Sequence, residues 1–160
     1  MGLEIVAISK IIKKTGGKIK IQQKEMDFPD RCHSFVAGEY EPHLKSRVME
    51  VHIGTYGTYN CFKNILCQCV YGITAKQFWD KWEDYDGAPF FEIINSSDNE
   101  GLMCYKTCEK LYADFNSHMV VIEDLIDGYD RYDRQWFMEM YDKLTKVFKI
   151  AKHEGIIIFN

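Results

Sequence analysis

The amino-acid sequence predicts an α+β domain: a mixed sheet of roughly four to six strands, with about four helices packed mainly on one face. Short runs that alternate or are continuously apolar are typical of strands. Longer segments with apolar residues three and four apart are typical of amphipathic helices. In the middle of the chain a strand, two helices and another strand follow each other, which indicates a crossover and hence parallel strands.

Strand patterns occur at both ends of the chain and in its middle. The stretches "LEIVAIS" and "KIKIQ" flank the pair Gly16-Gly17, which predicts a β-hairpin at the start. The stretch "PFFEIIN" is nearly continuously apolar, which predicts a central strand buried on both faces. The predicted strands cover residues 3–9, 18–22, 33–37, 47–53, 89–95 and the final "IIIF".

Helical spacing begins in the second third of the chain. It predicts a first helix over 59–72. A second helix follows at once, because Thr74 and Gln77 have the spacing of a capping box. Apolar residues three and four apart predict further helices over 103–118 and 135–153, with a shorter helix or turn between them.

Length and composition are those of one globular domain. A chain of 160 residues can bury its own core, and we expect residues 1–46 to form the hairpin and an irregular part and 47–160 to form the core of sheet and helices. The hydrophobic fraction of 46% excludes a disordered chain. A formal net charge of -4 disfavours general nucleic-acid binding, which requires clustered Lys and Arg. Lysines do gather near the start, where we interpret them as a solvated strand face.

The cysteines and the apolar runs indicate a compartment. Most of the six cysteines lie on the apolar stripes of predicted helices, where a free thiol acts as a small hydrophobic side chain. No secretory pattern opens the chain, and no apolar run is long enough to span a bilayer. Neither Cys67-Gln-Cys69 nor Cys104-x3-Cys108 has the spacing of a zinc site. We therefore expect a soluble, cytoplasmic protein with no membrane contact, no metal and no cofactor.

Two polar loops form the candidate ligand site. The stretches "GTYGTYN" (54–60) and "SSDNEG" (96–101) each follow a predicted strand and precede a predicted helix, so parallel strands would place both at one end of the sheet. The amide groups of the two helix N-termini would favour an anion. Alternatively, the glycines only make the turn and the tyrosines only pack. The candidate ligand-binding residues are Thr55, Tyr56, Thr58, Tyr59, Asn60, Ser97, Asp98 and Glu100.

Within the second loop, Ser97 and Glu100 have the S-x-x-E spacing of a capping box, which explains them without a ligand. Glycine in a first helical turn costs about 0.5–1 kcal/mol relative to alanine, so we expect a positive φ or a close neighbour at Gly101. Asp98 has no such structural explanation. Asp98 and Glu100 are the candidates for a catalytic general base, and His52, at the end of its strand, is the third.

The two loops resemble those of a family of small uncharacterised bacterial and phage proteins. In that family a Gly-Ser-Tyr-Gly/Ser-x-Tyr-Asn stretch opens a helix, and an Ile-Asn-Phe-Ser-Asp-x-Glu-Gly stretch follows a buried strand. The matching stretches here are 55–60 and 94–101, with Ser96 where the family tends to have Phe. Further matching positions are Lys110-Leu111, Asp114-Phe115 and the segment from Trp136 to the "GIIIF" ending. The resemblance spans roughly 47–159 and implies no activity that could be transferred.

The leading hypothesis is a small intracellular protein without catalytic activity that binds a small polar or anionic ligand, or a protein partner, at the shared mouth of the two loops. A phage counter-defence or immunity role would suit its size and mild acidity. The first alternative is a hydrolase of a phosphate or ester with Asp98 or Glu100 as general base. The second is a structural homo-oligomer, built through the Ile-rich terminal strand or through an acidic turn formed by Asp124, Asp127, Asp130 and Asp133.

Overall fold

The computed structural model describes residues 2–22, 34–96 and 101–160. Within them the chain forms two antiparallel sheets and five α-helices, which confirms the α+β class. The strands are β1 (Leu3–Ile8), β2 (Ile11–Lys13), β3 (Ile19–Ile21), β4 (Gly38–Pro42), β5 (Val48–Gly54), β6 (Gly101–Cys104) and β7 (Ile156–Phe159). The helices are α1 (Tyr56–Tyr71), α2 (Ala75–Trp79), α3 (Phe91–Asn95), α4 (Tyr105–Ile126) and α5 (Arg131–Ala151), with a 3-10 helix at Trp82–Tyr85.

The four-stranded sheet, in the order β5-β1-β7-β6, lies between two layers. Successive side chains of a strand point to opposite faces. On one face Ile5 and Ile157 join the main core, which the helices cover. On the other face Ile8 and Ile156 pack against the three-stranded sheet β2-β4-β3, whose Tyr40 belongs to the same cluster. The helices therefore cover one face, as expected, and the small sheet covers the other.

The β-hairpin expected at the start of the chain does not form. Strand β1 pairs with β5 and β7, and β3 pairs with β4. The physical reason is burial, because β1 has apolar side chains on both of its faces and is stabilised in the interior of a sheet. The short strand expected at 33–37 is replaced by β4, which begins at Gly38, and residue 33 lies outside the described residues.

The stretch "PFFEIIN" contains helix α3 and not the central strand expected from its apolar composition. Periodicity cannot separate a buried strand from a buried short helix. Phe90, with φ of 60°, turns the chain into the helix, and its carbonyl oxygen accepts a hydrogen bond of 3.0 Å from the amide of Ile94. The crossover with parallel strands is consequently absent from the described residues, where all strand pairs are antiparallel.

The C-terminal half forms two long helices and a strand. The predicted helix over 103–118 and the shorter element after it are one helix, α4, preceded by strand β6. Helix α5 begins at Arg131, earlier than predicted, because the carboxylate of Asp130 accepts hydrogen bonds from the amides of Tyr132 and Asp133 at 2.9 and 3.1 Å. The predicted terminal strand is confirmed as β7.

Strand β7 pairs with β1 on one side and with β6 on the other. It therefore presents no open backbone edge to a second copy of the chain, and a homo-oligomer stays a prediction. Nor do the described residues include a helix long and apolar enough to cross a membrane.

Candidate functional site

The first loop connects strand β5 to helix α1, as predicted. Gly54, with φ of 111°, makes the turn. The side-chain oxygen of Thr55 caps the helix, accepting a hydrogen bond of 3.1 Å from the amide of Thr58 and lying 2.9 Å from the Thr58 hydroxyl. The first turn of α1 contains no acidic residue. The two threonines thus have a structural role, in a helix terminus that keeps its partial positive charge.

The tyrosines of the first loop differ in burial. Tyr56 is half-buried against the main core and Asn60 is half-buried, whereas Tyr59 is fully buried. The Tyr59 ring packs 6.2 Å from that of Phe159. Its hydroxyl lies 3.4 Å from the hydroxyl of Ser96, the residue at which the second loop begins. Tyr59 is therefore a core residue that also contacts the second loop.

The second loop leads from helix α3 to strand β6, and not from a strand to a helix as predicted. Its candidate residues Ser97, Asp98 and Glu100, with their capping box, lie outside the described residues. The helix that this capping box was expected to open does not begin there, since β6 starts at Gly101. Gly101 has φ of 154°, which confirms the expectation of a positive φ.

A buried lysine with no distinguishing pattern in the sequence joins helix α1 to the start of the second loop. The side chain of Lys63, on α1, is only 2% exposed. Its ammonium donates a hydrogen bond of 3.0 Å to the carbonyl oxygen of Ser96. It also lies 4.9 Å from the ring centre of Tyr59 and 5.5 Å from that of Trp79, within the range of cation–π attraction. Lys63 therefore fixes the end of α3 to α1.

An ionic cluster fixes the start of α3. The ammonium of Lys110 lies 2.6 Å from a carboxylate oxygen of Glu92 and 3.0 Å from one of Asp114, and it donates a hydrogen bond of 2.9 Å to the carbonyl oxygen of Ala88. Asp114 also accepts a hydrogen bond of 3.0 Å from the amide of Phe90. Burial raises the pKa of Glu92, although the hydrogen bond from Lys110 opposes the shift. Of this cluster, only the spacing of Lys110 and Asp114, four residues apart on a helix, was visible in the sequence.

His52 stands apart from this arrangement. It lies exposed on β5, opposite Glu4 of β1. Within the described ranges no hydrogen bond or ion pair joins it to α3 or to Ser96. The structure thus brings Tyr59, Lys63 and Ser96 together and leaves His52 outside the group.

The thiols differ from the expectation in one respect. Cys61, Cys67, Cys69 and Cys108 are free, whereas Cys104 is disulfide-bonded. Burial raises the pKa of the Cys67 thiol to about 11 and raises that of Cys108 as well, so these two thiols are poor nucleophiles at neutral pH. In the part of the chain that the structure describes, no three His, Cys, Asp or Glu residues are grouped to hold a metal ion.

Comparison with known proteins adds no relative to this picture, since no protein-family model, no curated protein and no solved structure matches the chain.

Proposed function

We propose that this protein is a binding protein that holds a small polar or anionic ligand at the mouth between the start of α1 and residues 97–100. The observation that carries the proposal is the buried ammonium of Lys63, hydrogen-bonded at 3.0 Å to the residue directly before that segment. A charge in a low-dielectric setting acts more strongly than the same charge in water. The N-terminus of α1, without an acidic residue in its first turn, adds to the positive potential.

The contacts that hold helix α3, which leads into the second loop, support the same proposal. Helix α3 is held at its start by Lys110 and at its end by Lys63, and the indole NH of Trp79 donates a hydrogen bond of 2.8 Å to the carbonyl oxygen of Ile94. The chain therefore enters residues 97–100 from a fixed position. A binding segment that is mounted on a rigid element loses less conformational entropy when a ligand binds.

The test begins with native mass spectrometry of the freshly purified protein, which reports a retained small molecule, a bound partner and the number of subunits together. We expect Asp98→Ala to abolish retention of the bound molecule with little change in melting temperature. Tyr56→Ala should abolish retention with a moderate loss of stability, because the Tyr56 ring packs against the main core. The matched controls are Asp84→Ala and Tyr132→Ala, both at exposed positions away from the mouth. If the two mouth variants instead melt at much lower temperature while retention survives, the loops are structural and the proposal is wrong.

A cytoplasmic location and a counter-defence or immunity role in a phage or bacterium are parts of the same proposal. Mild acidity and small size support that role. Disulfides are rare in reducing compartments, so counting the thiols, with the disulfide at Cys104 as the point in question, tests the cytoplasmic part of the proposal.

A further inference from the structure

A cavity of about 730 Å³ lies beside the C-terminal end of α5. It is open to solvent on one side, and three segments line it: the β1–β2 connection, the segment that runs from β4 into β5, and the end of α5 with the turn after it. It shares no residue with the mouth between α1 and residues 97–100. Ligand pockets in proteins have volumes of about 300–1,000 Å³, so the cavity is large enough for a small organic ligand.

Hydrogen bonds from backbone amides hold the walls of the cavity in place. The amide of Ser9 donates a hydrogen bond of 2.9 Å to the carbonyl oxygen of Arg47, and the amide of Arg47 donates one of 2.8 Å to the hydroxyl of Ser9. The amide of His43 donates one of 3.0 Å to the carbonyl oxygen of Lys10. The amide of Ile11 donates one of 3.1 Å to the carbonyl oxygen of Glu154. The three segments are thus joined, and the cavity exists before any ligand binds.

The lining of the cavity is strongly basic in a chain whose net charge is -4. Of the residues that the structure describes, one carboxylate lines the cavity, that of Glu154, which pairs with Lys10 at 2.7 Å. Among the described residues no carboxylate lies within ion-pair distance of Lys45, Arg47 or Lys149. A concave surface lined by charges of one sign concentrates their potential. The lining cations are Lys10, Lys45, Arg47, Lys146 and Lys149.

The dipole of helix α5 favours cations at its C-terminus, which explains only part of the positive charge that lines the cavity. Lys146 and Lys149 lie on α5 near its C-terminus, where cations are favourable, and Lys146 pairs with Asp142 at 2.6 Å. Lys45 and Arg47 lie on a different segment, ahead of β5, and are not part of that helix. Their convergence on the cavity therefore requires another explanation, and an anionic ligand supplies one.

We propose that this cavity binds a phosphorylated small molecule of nucleotide size. Guanidinium and ammonium groups on two separate walls suit a phosphate group, since Arg binds two phosphate oxygens at once and Lys binds as a point charge. The side chains of Met49 and Ile150, both half-buried, add an apolar surface for the uncharged part of the ligand. The imidazoles of His43 and His153 add hydrogen-bonding groups at the wall. A single inorganic anion would leave most of the volume unfilled.

The experiment measures binding of ADP, pyrophosphate and adenosine to the full chain by isothermal titration calorimetry at low ionic strength. We expect ADP to bind more tightly than pyrophosphate and adenosine not to bind measurably. The double variant Arg47→Gln, Lys149→Gln removes two cations at exposed positions of the cavity wall. It should weaken ADP binding about tenfold or more, because charge-assisted hydrogen bonds are lost.

The matched control is Lys106→Gln, Lys143→Gln, which makes the same change in net charge at exposed positions outside the cavity. It should leave ADP binding within about twofold of the wild type. The proposal is overturned if ADP does not bind, if both double variants lose affinity equally, or if pyrophosphate binds as tightly as ADP. It is also overturned if a ten-nucleotide single strand binds through Arg47 and Lys149 while ADP does not, since the cavity would then be a nucleic-acid contact.

Discussion

The ammonium of Lys63 lies 3.0 Å from the carbonyl oxygen of Ser96 and donates a hydrogen bond to it, across 33 residues of sequence. The contact joins helix α1 to the residue that ends α3. A buried ammonium needs such partners, because removing an unpaired charge from water costs several kcal/mol. The position of Ser96 therefore depends on a residue of another helix and not on its own neighbours.

Replacing Lys63 should destabilise the protein. In Lys63→Met the carbonyl oxygen of Ser96 loses a buried donor while the apolar stem of the side chain is kept, so we expect the free energy of unfolding to fall by about 1–3 kcal/mol. Urea unfolding followed by circular dichroism measures this. The control is Lys76→Met, whose ion pair with Asp80 is exposed and should contribute about 0.5 kcal/mol or less. An equal decrease in the free energy of unfolding in the two variants would show that the buried contact with Ser96 stabilises the protein no more than an exposed ion pair does.

Glu92 should make the stability depend on pH. Because its pKa is raised in the folded state, the folded protein holds this proton more tightly than the unfolded chain. The contribution of this bound proton to the free energy of unfolding is fully present below the pKa of Glu92 in the unfolded chain. It is lost as pH rises through the raised pKa of Glu92 in the folded protein. Glu92→Gln remains neutral, so its free energy of unfolding should increase relative to that of the wild type as pH rises above about 4 and through the raised folded pKa of Glu92.

Unfolding titrations in urea at several pH values measure the difference between wild type and Glu92→Gln. The exposed residue Glu109 on α4 provides the control, and Glu109→Gln should follow the wild-type pH profile. A difference between wild type and Glu92→Gln that stays constant with pH, or shrinks as pH rises, would mean that the attraction of Lys110 outweighs burial.

Gly155 lies where the end of α5 approaches β1 too closely for a side chain. A Cβ atom at this position would lie 2.0 Å from the carbonyl oxygen of Ile8 and 2.8 Å from that of Ala151. Both contacts are with backbone, which cannot rotate away, so Gly155→Ala should cost about 2–3 kcal/mol of unfolding free energy. Gly128→Ala is the control, since its nearest neighbour would be 3.9 Å away, and should change stability by about 0.5 kcal/mol or less. A melting temperature of Gly155→Ala equal to that of the control would contradict the close approach.

The thiols should react in a set order. In the folded protein, exposed Cys61 should react first with a thiol reagent, and buried Cys67 and Cys108 should react only after unfolding. The disulfide at Cys104 takes up two of the six cysteines, so the unfolded, unreduced protein should show four thiols, and six after reduction. Six thiols before reduction would show that Cys104 is free and would favour the reducing, cytoplasmic compartment.

Two features that depend on neighbours in sequence were predicted correctly. The capping box of Thr74 and Gln77 forms as expected, because a side chain and an amide three residues apart meet whenever a helix begins there. The positive φ of Gly101 was also predicted. Features that depend on distant partners were not. The strand expected over 89–95 is a helix, since a short apolar run is equally compatible with both until its surroundings are known.

In the candidate site, too, local features were predicted and contacts between distant residues were not. The first loop and its helix were predicted, and Tyr59 reaches Ser96 of the second loop. The parallel strands that were expected to bring the loops together are absent from the described residues. The hydrogen bond from Lys63 on α1 to Ser96 makes the connection instead. No pattern in the sequence distinguishes Lys63 from the exposed lysines of the chain, because its burial depends on α3 and on Trp79 packing over it.

By itself the sequence determines the class of the fold, the periodic faces of the long helices and the capping box of Thr74 and Gln77, since these follow from spacing along the chain. Only the tertiary structure decides which strands pair, that β7 lies inside the sheet, and that Arg47 and Lys149 line one cavity. The reason is that burial of apolar surface has no preferred direction. Packing of the core brings together residues that are far apart in sequence. The positions of charged side chains such as Arg47 and Lys149 then follow from how their helices and strands pack.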